Sequence, residues 1–212
     1  LWTGVVSLQG NTGAMRVAMR DGAVSKLAPV PAEYAEGLAY SFPYSVALRS
    51  GDTLLVGYAG HHRVFLHHDD GRVDSLVVPS RLRRGVPEDI LQRLQARQYG
   101  DTLPENVVST LARIGRLADG SVVLVHYDVT FDPRNADGAS VAGWLTVLDP
   151  RFERACTDAS LPLAASTLPS LAFRGDTLFA LEHLIGDAEA VPVLRAWTIS
   201  TEGCDWMPVT RG

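Results

Sequence analysis

The stretch PYSVALRSGDTL, residues 43–54, recurs as PSLAFRGDTL, residues 169–178, with one residue, Ser50, dropped. Proline, serine, an apolar–alanine–apolar–arginine core and a closing GDTL are shared by both. A weaker copy is LARIGRLADGSVVL, residues 111–124, and a fourth, shorter likeness lies near the start of the sequence. Repeats at this spacing predict a modular fold in which each unit buries a face against the next.

Each copy reads as short strands joined by tight turns. In the second copy Tyr44 to Arg49 alternates, Ser50-Gly51-Asp52 is turn chemistry, and Thr53 to Tyr58 is a short apolar strand. Arg63 to His68 and Val73 to Val78 follow, joined by Asp69-Asp70-Gly71, where Asp-Gly supplies the positive φ of a hairpin. Four short strands over about 40 residues is the size of one β-propeller blade. The last copy predicts strands at Ser170–Arg174, Thr177–Leu184, Val193–Ser200 and Asp205–Val209. The third is longer and carries the polar loop Asp132 to Ser140.

In the first copy Asp21-Gly22 and the following Val24 and Leu27 match Asp70-Gly71, Val73 and Leu76. That match assigns Gly4 to Leu8 and Ala14 to Met19 to a second and third strand and predicts that the first strand is missing. The expectation is an all-β, propeller-like single domain of about four four-stranded antiparallel blades. Their ranges are about 4–28 (incomplete), 43–79, 107–163 and 168–209. One segment breaks the β pattern: Pro87 and the acidic Glu88 and Asp89 open a run of helix formers to Gln98. A helix near 87–98 is expected, in an insertion spanning 81–99.

The stretches RSGDTLLVGY (49–58), FRGDTLFALEH (173–183) and HDDGRVDSLVVP (68–79) resemble the six-bladed β-propellers of the TolB and NHL-like kind found in bacterial cell envelopes. The likeness covers most of the chain from Pro43 onward. Six blades of about 40 residues need about 240, more than the 212 present, and three full blades plus three strands can be counted, so a four-bladed or partial propeller is what this chain can build. The resemblance implies an exported binding platform; some relatives are enzymes, and the metal-dependent lactonases among them need Glu, Asn and Asp on a calcium. Glu182, Asn106 and Asp128 are the contributors this chain offers.

Composition narrows the function classes. Hydrophobic content of 46% suits a chain with a real core, and a formal net charge of −5 argues against a nucleic-acid partner. No run approaches the roughly 18 apolar residues of a transmembrane span. With neither an initiator methionine nor a signal-like start, the sequence reads as beginning at a processed or truncated end. Cys156 and Cys204 can pair in an oxidising compartment or pack as small thiols. No GxSxG, P-loop, GxGxxG, HExxH or EF-hand pattern is present, and no cofactor is expected.

Aligned copies place Tyr58, His126 and Glu182 at equivalent positions near the end of the second strand, followed by Ala59, Tyr127 and His183. If equivalent positions converge on the propeller axis, His126, Glu182 and His183 form an acid–base set at the channel mouth. The alternative is a hydrogen-bonded ring that closes the channel. His61-His62 and His67-His68 flank one strand and read as polar strand ends, since a metal needs three or four converging ligands. Ser80 to Gly85 is a basic cluster. Arg81, Arg83 and Arg84, with Arg93 and Arg97 of the expected helix and Trp2, are the residues expected to meet a protein partner.

The expected function is a non-enzymatic protein-binding or scaffold module of the bacterial envelope, periplasmic, with no membrane span of its own. A narrower form is an accessory subunit on the periplasmic face of a membrane complex such as a photosynthetic reaction centre with its antenna, though no motif carries it. The alternative is a metal-dependent hydrolase or lactonase at the channel mouth.

Overall fold

The computed structural model describes residues 2–7, 11–32, 34, 44–81, 92, 106–131, 140–164, 168–185 and 190–212. Among them, sixteen strands form four antiparallel sheets arranged in a ring as a four-bladed β-propeller. The first blade holds β1 (Trp2–Ser7), β2 (Thr12–Val17) and β3 (Val24–Leu27). The second holds β4 (Ser45–Ser50), β5 (Thr53–Tyr58), β6 (Arg63–His68) and β7 (Val73–Val77). The third holds β8 (Asn106–Arg116), β9 (Val122–Phe131), β10 (Ser140–Leu148) and β11 (Arg154–Leu161). The fourth holds β12 (Ser170–Arg174), β13 (Thr177–Ile185) and β14 (Ala190–Thr198). Two short strands, β15 (Trp206–Pro208) and β16 (Thr210–Arg211), complete the set. The segment expected to be helical, and the loop 132–139, lie outside the described residues.

The repeated GDTL has a local cause. Ser50 pairs with Thr53 and Arg174 with Thr177, so two residues turn each chain. Gly51 and Gly175, first in those turns, sit at φ 60° and 56°. A two-residue hairpin with a left-handed first residue asks for glycine there.

After the turn, strands alternate between two interfaces. Leu54, Val56 and Tyr58 pack toward the first blade with Ala14 and Tyr34. Leu55 points the other way and joins Val122 and Leu124 of the third blade. Val123, Val125 and Tyr127 continue the alternation and meet Leu178 of the fourth blade. Among the described residues the apolar core is thus three layers between consecutive blades. Leu54 and Leu178, equivalent in the repeat, each face the preceding blade. Burial of β5 on both faces explains its continuous apolar run. Gly57 lies where β5 meets β8: a Cβ there would stand 2.1 Å from Leu111 Cδ2.

Two expectations change. The ring brings β1 against β4, β4 against β8 and β8 against β12, so β1 takes the innermost place. The first blade therefore keeps its inner strand and, among the described residues, lacks an outer one. The Asp-Gly match was misleading because such a hairpin fits any strand pair.

The second change concerns Asp205–Val209, expected as the outer strand of the fourth blade. Residues 206–208 instead extend the third blade, with Ala155 opposite Met207 and Cys156 opposite Trp206. Residues 210–211 extend the second blade, with Thr210 opposite Val77. Gly212 exchanges two 3.0 Å backbone hydrogen bonds with Ser75. Several contacts recruit this strap to its place. Cys204 is disulfide-bonded to Cys156, the Arg154 guanidinium lies 5.3 Å from the centre of the Trp206 ring, and the Val209 amide donates to Glu153 O at 2.9 Å. The competing edge, β14, contains Pro192, which has no amide to offer.

Candidate functional site

The three aligned polar positions face the preceding blade, so each falls in a different inter-blade layer. Tyr58 is fully buried, and its hydroxyl donates to Pro29 O at 3.2 Å. Its ring lies 4.8 Å from that of Tyr34 and 5.8 Å from that of Phe65. Burial, with the Tyr34 hydroxyl adding to it, raises the Tyr58 hydroxyl well above its ordinary value of 10.0. His126 is buried on the same face of β9 as Val122 and Leu124, toward the second blade.

Glu182 has no exposed surface. Its Oε2 accepts from the Ala164 amide at 2.8 Å, and its Oε1 lies 2.9 Å from Arg195 Nε as an ion pair outside hydrogen-bonding angles. His183, next on the strand, turns to the exposed face of β13. His126, Glu182 and His183 therefore lie on three separate surfaces. Sequence alignment found the equivalent positions correctly, but on second strands these look at a neighbouring blade.

A cavity of about 400 Å³ is lined by Tyr44, Arg113, Tyr127, Leu168 and Pro169. The Tyr127 hydroxyl donates to Pro169 O at 3.2 Å, and the Tyr44 hydroxyl lies 2.5 Å from Thr110 Oγ1. Burial chiefly, then the charge of Glu182, raises the Tyr127 hydroxyl above its ordinary value. Both hydroxyls are engaged in joining blades.

Among the residues expected to meet a partner, Arg81 is held locally. Its guanidinium pairs with Asp205, and its amide donates to Asp158 Oδ2 at 2.5 Å beside the Ser80 hydroxyl, which donates to Asp158 at 2.9 Å. Arg81 thus ties the connection after β7 to β11 and the strap. Trp2 opens β1 opposite Arg16. Its side chain, together with Arg83, Arg84, Arg93 and Arg97, lies outside the described residues.

Sequence reasoning missed the outer face of the fourth blade. Leu181 and Leu194 pair across β13 and β14 and are 37% and 67% exposed, with Val191 55% exposed beside them. β14 has no strand on its far side among the described residues. The readable signal was Pro192, which marks an edge strand.

Among the described residues, no three His, Cys, Asp or Glu side chains stand close enough to hold a metal ion. Of the three residues offered for calcium, Asp128 accepts from the Ser109 hydroxyl, Glu182 is held as above, and the Asn106 side chain is outside the described residues. No protein-family model matches the chain, and no curated protein matches it. The β-propeller-like arrangement of four small antiparallel sheets is the likeness that stands.

Proposed function

We propose that this chain is a non-enzymatic protein-binding module of the bacterial cell envelope, of the TolB and NHL-like propeller kind, which docks a partner on its fourth blade. The observation that carries this reading is the β14 edge, which has no strand on its far side among the described residues, beside exposed Leu181, Val191 and Leu194. An extended partner segment can add to such an edge through main-chain hydrogen bonds while the leucines supply apolar contact. Exposed apolar groups clustered on one sheet mark interaction surfaces. The Cys156–Cys204 bridge supports a periplasmic setting, where disulfides persist. An accessory place on a membrane complex, of the photosynthetic kind or another, is the narrower form of the same reading.

The test is co-purification of a defined envelope complex with the wild-type chain and with Leu181→Lys/Leu194→Lys. Both positions are exposed, so the fold tolerates lysine. Loss of the complex in the variant, at unchanged stability, is the expected result. A wild-type chain that stays monomeric and retains no complex sinks the reading. The competing reading, a hydrolase at the channel mouth, would draw on the cavity at Tyr44 and Tyr127; an assayed activity lost in Arg113→Ala, which lines that cavity, would favour it.

A further inference from the structure

The layer between the first and second blades opens at its turn end into a groove of about 500 Å³. The repeat shows why it is open. Leu54, Val122 and Leu178 are equivalent residues, and their cross-strand neighbours are His67, Leu148 and Trp197. Leu148 fills the layer between the second and third blades, and Trp197 packs in the layer between the third and fourth. At the same place in the first layer the chain puts an imidazole. The neighbour of Leu54 on its other side is Arg49, where Leu178 has Phe173.

The groove is therefore a polar departure from an apolar pattern, and its groups are cationic. Arg16 of β2, Arg49 of β4 and Arg72 of the β6–β7 turn line it, against one lining carboxylate among the described residues, Asp69. On a chain of net charge −5 this concentration of guanidinium is local. Asp69 pairs with Arg49, but its side chain is 65% exposed, and exposed pairs of this kind hold weakly against a competing anion. Arg72 Nη1 lies 2.5 Å from Asp74 Oδ2, which also accepts from His68 Nε2 at 3.1 Å. His68 is thereby fixed, whereas the buried His67 Nε2 has no hydrogen-bond partner among the described residues. Leu27, Leu54 and Val73 supply an apolar wall.

We infer that this groove binds a small soluble anion, a carboxylate or phosphate monoester, carried on an apolar body. The guanidiniums take the anion through charge-assisted hydrogen bonds, the arrangement for which arginine geometry is suited. His67 completes the head-group contacts, and the apolar body lies along Leu54 and Val73. The volume falls in the range of small-molecule sites. Burial depresses the His67 imidazole, with His68 beside it adding repulsion, which keeps it a neutral hydrogen-bonding group near pH 7.

The probe is octyl phosphate, titrated calorimetrically into the whole chain, with inorganic phosphate and 1-octanol as comparators. One-to-one saturable binding of octyl phosphate in the millimolar range or tighter is expected, with each comparator at least about tenfold weaker. Arg16→Ala and Arg49→Ala should each weaken binding about tenfold, the size of a lost charge-assisted contact. His67→Leu restores the residue type of the third blade and should weaken it similarly. Arg16 is exposed, so its variant keeps the fold whatever happens at His67. Absence of saturable binding, equal binding of octanol or phosphate alone, or undiminished affinity in the Arg16 and His67 variants would each overturn the assignment.

Discussion

Replacing both bridged cysteines, Cys156→Ala with Cys204→Ala, should cost this fold about 4 kcal/mol. The bridge joins residues 48 apart in sequence. In the chain-entropy account, closing a loop of that length removes about 13–14 cal/mol/K from the unfolded ensemble, or about 4 kcal/mol at 25 °C. Cys156 is 9% exposed within the layer between the third and fourth blades, where alanine keeps the site apolar, so packing adds little to the loss. The assay is urea and thermal unfolding followed by fluorescence of the tryptophans, comparing the oxidised chain, the same chain under reductant, and the double variant. The reduced chain and the variant should agree, with a melting temperature roughly 8–16 °C below that of the oxidised chain. Amide exchange should quicken first at Trp206 and Met207, which the bridge holds against β11. A loss under about 1 kcal/mol, or exchange that quickens uniformly, would refute the view that this bridge anchors the strap.

Three further outcomes test the interior. Arg195→Met leaves the Glu182 carboxylate buried with only the Ala164 amide, and should cost about 3 kcal/mol by urea unfolding; a change under about 0.5 kcal/mol would show that Glu182 reaches water. Gly57→Val drives side-chain atoms into Leu111 and should cost about 2 kcal/mol or more, with Gly57→Ala milder; neutrality of the valine variant would mean β5 and β8 are farther apart than described. His67→Leu should gain about 1 kcal/mol at neutral pH by extending the apolar layer. It should also flatten the acid side of the stability curve. The folded state holds the His67 pKa below its ordinary 6.5, so below that value the unfolded chain binds more protons and stability falls as pH drops. Parallel pH profiles for wild type and His67→Leu would contradict this.

The GDTL copies were legible because the signal is local: a glycine at positive φ, then alternating apolar residues, is the whole cause of the hairpin. The blade layers follow from the same alternation, which is why Leu54 and Leu178 take matching places. Outer strands were less legible. Trp206–Pro208 carries nothing in its own pattern to say which edge it joins; the choice lies with Cys156 and Arg154, far back in the sequence, and with Pro192 on the competing edge. The same holds for β1, whose rank in its blade is set by contact with β4 and not by its hairpin. At the polar positions, alignment of Tyr58, His126 and Glu182 was sound, but it carries no information about the direction a second strand faces. The comparison that does reveal a departure, His67 against Leu148 and Trp197, becomes available once cross-strand pairs are known.

The strap has a consequence in time. Ser75 bonds to Gly212, 137 residues further along. At ribosomal rates of 5–20 residues per second, β7 waits on the order of ten seconds for its neighbour. Until then the second and third blades present open edges, which are templates for pairing with other chains. Among the described residues, those around Ser75 and Ala155 are thus where a nascent chain of this protein is exposed to aggregation, and where a holdase that keeps it unfolded has most to protect.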